Sequence, residues 1–179
     1  MKATGIVRRI DDLGRVVIPK EIRRTMRIRE GDPLEIYTGS GGEVVFRKYS
    51  PIGELAGISS QYAEAAATAT ALGIVITDRD HCISAAGVSK KDVIDREISP
   101  ELESLMENRQ PYIYEEGGAK MPMTAEGDTT VLAAYPIISQ GDLCGSVLLV
   151  PSASDSKAGE GDLNLARVAA TFLGRQLED

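Results

Sequence analysis

Between residues 8 and 27 the chain places Arg8, Arg9, Arg15, Lys20, Arg23, Arg24 and Arg27 among aliphatic residues, in a protein whose formal net charge is −7. Charged side chains ordinarily cover a solvated face, and Glu21 stands three residues before Arg24, where a helical ion pair can form. Lys20 and Arg24 are four apart with like charge, however, as are Arg23 and Arg27. Such spacing on a helix costs stability unless an anion arrives. Phosphate oxygens and guanine edges are the partners that arginine forks fit best. The pattern therefore predicts a polyanion, nucleic acid above all, bound through this segment.

No catalytic constellation competes with that reading. A nucleophile needs a base and an orienting group, and the only histidine, His81, adjoins Cys82 in a predicted strand. Neighbouring strand residues point to opposite faces, so the two make neither a dyad nor a chelate; His81 reads as a structural or turn residue. Asp78 with Asp80, and Glu115 with Glu116, flank turns where solvated carboxylates are ordinary. Cys82 and Cys144 show neither disulfide nor zinc spacing and read as free, buried thiols. The expectation is a non-enzyme without metal or cofactor.

The elements that must position the arginines follow from charge and periodicity. Residues 1 to 50 hold 11 of the 20 Lys and Arg but 7 of the 27 Asp and Glu, leaving 9 basic and 20 acidic side chains to the rest. Opposite balances predict two modules, residues 1–52 and 53–179, joined at "KYSPIGEL" where Pro and Gly interrupt the pattern. In the first, residues 3 to 9 and 14 to 18 are β-prone runs around the turn "IDDLG". Pro19 then opens a short helix over 20–28. "PLEIYT" and "EVVFRKY" flank "GSGG" as a second hairpin; no helix follows those glycines, so they do not read as a phosphate cradle. About 50 residues bury little core alone, and the first strands carry Ile6 and Ile10 on one face and Val7 on the other. An obligate dimer through these hairpins is expected.

The second module reads as an α+β domain, an antiparallel sheet flanked by helices. Residues 53–72 are helical in pattern, with Leu55, Tyr62, Ala66 and Ala69 along one face. "GIVITDRDHCISAAG" is a hairpin signal, Ser89 with Asp92 resembles a capping box, and Ser99 with Pro100 opens another helix. Two strands surround "SQGD". Residues 162–177 carry Leu163, Ala166, Ala170, Leu173 and Leu177 in one stripe, while Leu165, Val168 and Phe172 extend apolar character to a second side that suits a partner chain. No stretch approaches the roughly 18 apolar residues of a membrane helix and no secretory leader is read, so a cytoplasmic protein is expected.

The residues "ATGIVRRIDDLGRVVIPKEIRRTMRIREGDPLEIYTGSGGEVVFRKYSP", with the gap-free pattern TGIVR, D-x-LGR, VVIP-x-E-x-RR, resemble the DNA-binding domain of the AbrB transition-state regulators. The resemblance implies an AbrB-like swapped-hairpin β-barrel interleaved from two chains, with double-stranded DNA contacted by Arg8, Arg15, Arg23 and Arg24; Arg9 and Lys20, basic but variable in type within such motifs, rank below these. Over its full length the chain is similar to a sporulation-stage subgroup of that family, in which a GAF-like domain follows. This implies a regulator of sporulation-stage transcription whose C-terminal domain joins dimers into a homotetramer. Whether that domain also holds a small-molecule ligand, of no class readable here, or is an oligomerisation device alone stays open. Two rivals are an antitoxin-type inhibitor that binds a protein, and a metabolite sensor acting through protein contacts. Antitoxins of the first kind carry disordered tails, whereas about 125 residues here have the composition of a folded domain.

Overall fold

In the computed structural model, which describes residues 4–153 and 156–178, the chain divides between Tyr49 and Ser50 into two units. In the first unit Pro19, with its fixed φ and no donor to lose, precedes α1 (Lys20–Thr25). The helix is shorter than the predicted 20–28. Arg27 turns left-handed at φ 49°, Ile28 N–H bonds to Arg23 O at 2.8 Å, and Arg27 N–H bonds to Arg24 O at 3.3 Å. These are the two closing bonds of a left-handed helix stop. Glycine usually fills that position, and Arg27 carries no sequence signal for it. Beyond it, β1 (Leu34–Thr38) pairs antiparallel with β2 (Val44–Lys48), Leu34 opposite Lys48. Lys48 Nζ donates to Arg27 O at 2.8 Å and lies 3.9 Å from Asp32, tying the hairpin to the helix stop.

The expected strands over 3–9 and 14–18 do not form within one chain; Ala3 lies outside the described residues. Only the tip closes, with Asp11 N–H bonded to Arg15 O and Gly14 N–H to Asp11 O, both at 3.0 Å. The physical reason is that an isolated two-stranded hairpin is marginal without a face to pack on. Val7 is 88% exposed, and Ile10, Leu13 and Val17 are exposed with it. Among the described residues of this unit only Pro19 is buried, and every other apolar side chain stays at least partly exposed.

The second unit begins at Ser50, whose hydroxyl accepts from Gly53 N–H and caps α2 (Pro51–Glu54). A break at Leu55 separates α2 from α3 (Ala56–Thr70), where one continuous helix is predicted. The buried stripe of α3 is Ser59, Ala63 and Ala66, with Tyr62 half-buried beside it and Ala69 exposed, contrary to the predicted face. Five antiparallel strands make the sheet in the order β4-β3-β9-β8-β5: β3 (Gly73–Thr77), β4 (Cys82–Ala86), β5 (Tyr112–Ile113), β8 (Ala133–Ser139) and β9 (Asp142–Val150). β6 (Met121–Pro122) and β7 (Thr130–Val131) form a separate small ladder. The fully buried run of β3 and the nearly buried β9 are what a sheet covered on both sides requires.

One face carries α3 and α6 (Glu160–Gln176) over Ile74, Ile76, Val147 and Leu149, with Ala166, Ala169, Ala170 and Leu173 facing it from α6. Gly174 lets that helix press on β8: a Cβ there would lie 2.3 Å from Ile138 O. Tyr62 links the two helices by donating to Leu165 O at 2.8 Å. The other face carries α4 (Lys90–Val93) and α5 (Pro100–Glu107) over Val75, Leu148 and Val150. α5 starts as predicted, Ser99 Oγ accepting from Leu102 N–H at 3.0 Å and donating to Pro122 O at 2.7 Å. The expected capping box at Ser89 is absent: its side chain makes no cap bond, and α4 is a single turn.

Candidate nucleic-acid interface

The basic side chains of the first unit fall into two groups. Arg27, Arg29 and Lys48 are part-buried and engaged within the unit. Arg8, Arg9, Lys20, Arg23 and Arg24 are exposed and make no ion pair or side-chain hydrogen bond among the described residues. α1 sets Lys20 and Arg24 one turn apart and Arg23 beside Arg24. Because the helix stops at Thr25, Arg27 leaves the helical face and the predicted repulsion with Arg23 does not arise; that of Lys20 with Arg24 does. Arg8 and Arg9 lie in the run before the Asp11–Gly14 turn, a run that forms neither helix nor strand, and Arg15 directly follows the turn.

Arg15 differs from the others in being held. Its Nε donates to Asp11 Oδ2 at 2.8 Å, while Asp11 Oδ1 accepts Leu13 N–H at 3.0 Å and Arg15 N–H at 2.7 Å. The Arg15 side chain remains 69% exposed. The bond from the Arg15 backbone amide, then its guanidinium, holds the Asp11 carboxyl below the usual range. The sequence pattern marks Asp11 only as turn-forming; an aspartate four residues before an arginine across a glycine turn is the signal that points further. On the hairpin, Arg47 lies over the Tyr37 ring at 4.9 Å and Tyr37 hydroxyl bonds Glu35, which pushes the phenol up.

In the second unit His81 and Cys82 are held apart from reactive roles. His81 closes the β3–β4 turn through its backbone: its N–H donates to Asp78 Oδ1 at 2.7 Å and its carbonyl accepts from Asp78 N–H. Cys82 is buried, and desolvation followed by Asp78 pushes its thiol up to about 12. Among the described residues no group of three His, Cys, Asp or Glu is placed to hold a metal, and no helix is long and apolar enough to cross a membrane. A half-open cavity of about 330 Å³ lies between Ile113, Leu132, Pro151 and Ala158, with Lys120 and Lys157 at its polar side and Lys157 paired to Glu116 at 3.2 Å.

Comparison with known proteins finds a family model for each part of the chain. Residues 54–178 match the family model described as stage V sporulation protein T C-terminal, transcription factor. Residues 7–54 match the model described as antidote-toxin recognition MazE, bacterial antitoxin. The chain is 47% identical over 181 residues to stage V sporulation protein T of Bacillus subtilis (strain 168), covering 99% of each chain. It is 57% identical over 51 residues to the transition state regulatory protein AbrB of the same organism, covering 28% of this chain and 52% of that one. A GAF domain/HD domain protein from Geobacter sulfurreducens superposes with TM-score 0.51 at 12% identity, covering 74% of this chain and 99% of that one, a likeness of fold. The AbrB-type and GAF-like resemblances expected from sequence are both found.

Proposed function

The chain belongs to the family of stage V sporulation protein T, and from that premise we propose that it is a sequence-selective regulator of sporulation-stage transcription that binds double-stranded DNA. The observation that carries this reading is the set of exposed, unpaired cations between residues 8 and 24 in an otherwise acidic protein. Arg8, Arg15, Arg23 and Arg24 make the principal contacts and Arg9 and Lys20 add to them. The DNA-binding module is residues 1–52. Two copies interleave their hairpins into one barrel, because a unit in which Pro19 is the one buried residue among those described cannot stand alone.

Residues 53–179 serve assembly. Val168 and Phe172 on α6, 59% and 42% exposed, with Ile58 on α3, suit a second copy and would join dimers into a tetramer. Two linked heads raise the effective concentration of the second contact. The chain acts without catalysis, and a small molecule seated in the 330 Å³ cavity would tune assembly. The match over residues 7–54 to an antitoxin model is the one observation favouring a protein-binding inhibitor; a folded, sheet-centred second unit in place of an extended tail argues against it. The test is binding of the full chain to a promoter-length duplex across salt concentrations. DNA binding predicts affinity falling steeply with salt, whereas salt-independent or absent binding sinks the reading.

A further inference from the structure

Resting on the DNA-binding reading, we infer that Asp11 is a positioning residue for sequence readout: its carboxylate holds the Arg15 guanidinium by Nε, so that the two terminal nitrogens are presented as a preset fork to a base edge. The geometry leaves little else for this carboxylate to do. Oδ1 accepts Leu13 N–H and Arg15 N–H, which fixes the aspartate to the turn, and Oδ2 accepts Arg15 Nε at 2.8 Å. An Nε bond takes one edge of the guanidinium and leaves the Nη edge, the edge that pairs with guanine O6 and N7. Among the described residues that edge has no partner, and the side chain is 69% exposed. Arg8, Arg9, Lys20, Arg23 and Arg24 have no such support. An unsupported arginine swings to any phosphate; a supported one discriminates by direction.

An acidic side chain beside DNA otherwise opposes binding, and this sets the sign of the test. Asp11→Asn keeps an acceptor for the two backbone amides and removes the acceptor for Nε together with the negative charge. Each chain loses one positioned arginine, two per dimer, and the cost of ordering two rotamer-rich side chains anew on binding corresponds to a loss of affinity of about tenfold or more.

The experiment uses the full chain and two probes, a duplex enriched by the parent from a randomised library and a scrambled duplex of equal length. The expected result is about tenfold weaker binding of Asp11→Asn to the enriched duplex, equal or tighter binding to the scrambled one, and no further loss when the change is made in an Arg15→Ala background. Asp11→Ser, whose hydroxyl still caps the turn but falls short of Nε, repeats the loss, and serves if the asparagine variant fails to fold. Tighter binding of both duplexes by Asp11→Asn, as removal of a repulsive charge alone would produce, overturns the inference. So does a loss that adds in full to that of Arg15→Ala. If Arg15→Ala binds both duplexes as the parent does, Arg15 reads no base and the inference alone fails, whereas a parent that binds neither duplex overturns the DNA-binding reading and the inference with it.

Discussion

Replacing Arg23 by alanine removes from each chain one guanidinium that is exposed and, among the described residues, unpaired, and so two from the proposed dimer. If Arg8, Arg15, Arg23 and Arg24 all face DNA in both chains, eight cations displace counterions and log affinity falls with log salt at a slope of about −7. From 50 to 200 mM salt that is a loss of about 10⁴-fold. With six cations left the slope is about −5.4 and the same interval costs about 10³-fold. Arg23 supports no other side chain, so fold and dimer should change by no more than about 0.5 kcal/mol. Fluorescence anisotropy of a labelled duplex at five salt concentrations measures the slope for the parent, for Arg23→Ala, and for Arg175→Ala, which removes an exposed cation from α6. The expected outcome is a slope shallower by about two units for Arg23→Ala and unchanged for Arg175→Ala. Equal slopes for parent and Arg23→Ala would show that this guanidinium neutralises no phosphate, and equal shifts in both variants would show only an effect of net charge.

Gly174→Ala drives a Cβ against Ile138 O and should lower the stability of the second unit by about 1–3 kcal/mol, read as a fall in its Tm; an unchanged Tm would mean that α6 can shift. Ser99→Ala removes both the helix cap and the bond to Pro122 O, so a loss of about 1–2 kcal/mol is expected in denaturant unfolding. Phe172→Glu should convert tetramers to dimers in sedimentation while each dimer still binds DNA; persistence of the tetramer would exclude this face as the contact. Cys82, raised to about 12 in the folded state against 9.0 for an ordinary thiol, releases its proton first from the unfolded chain. Stability should therefore fall as pH rises from about 9 towards 12, and Cys82→Ala should flatten that fall; alkylation of Cys82 in the folded protein at pH 9 would contradict the burial.

The second unit was legible wherever its signals were local and self-consistent. The β3–β4 and β8–β9 hairpins, the Ser99 cap and the α6 stripe all depend on residues close in sequence whose partners lie in the same chain. The misses have a different physical origin. Residues 4–18 have strand composition yet form no ladder, because an isolated hairpin is marginal without a face to pack on and its apolar side chains stay exposed. Arg27 in a left-handed stop and the break at Leu55 are tertiary outcomes: Lys48 anchors the first by its bond to the Arg27 carbonyl, and burial of Ile52 in the helix-side core holds α2 apart from α3. Ser89 has a capping-box neighbour at Asp92 but no helix long enough to reward it. The arginines were legible as a charge pattern, whereas the distinction between Arg15, which is held, and its unsupported neighbours emerged only from the turn.

A first unit that buries, among its described residues, no more than Pro19 carries a consequence for dose. If the head exists only as a pair of chains, then below the pairing constant the number of heads varies as the square of the amount of protein made, and promoter occupancy inherits that steepness before any ligand or second head contributes. Modest changes in synthesis are then converted into sharper changes in gene output.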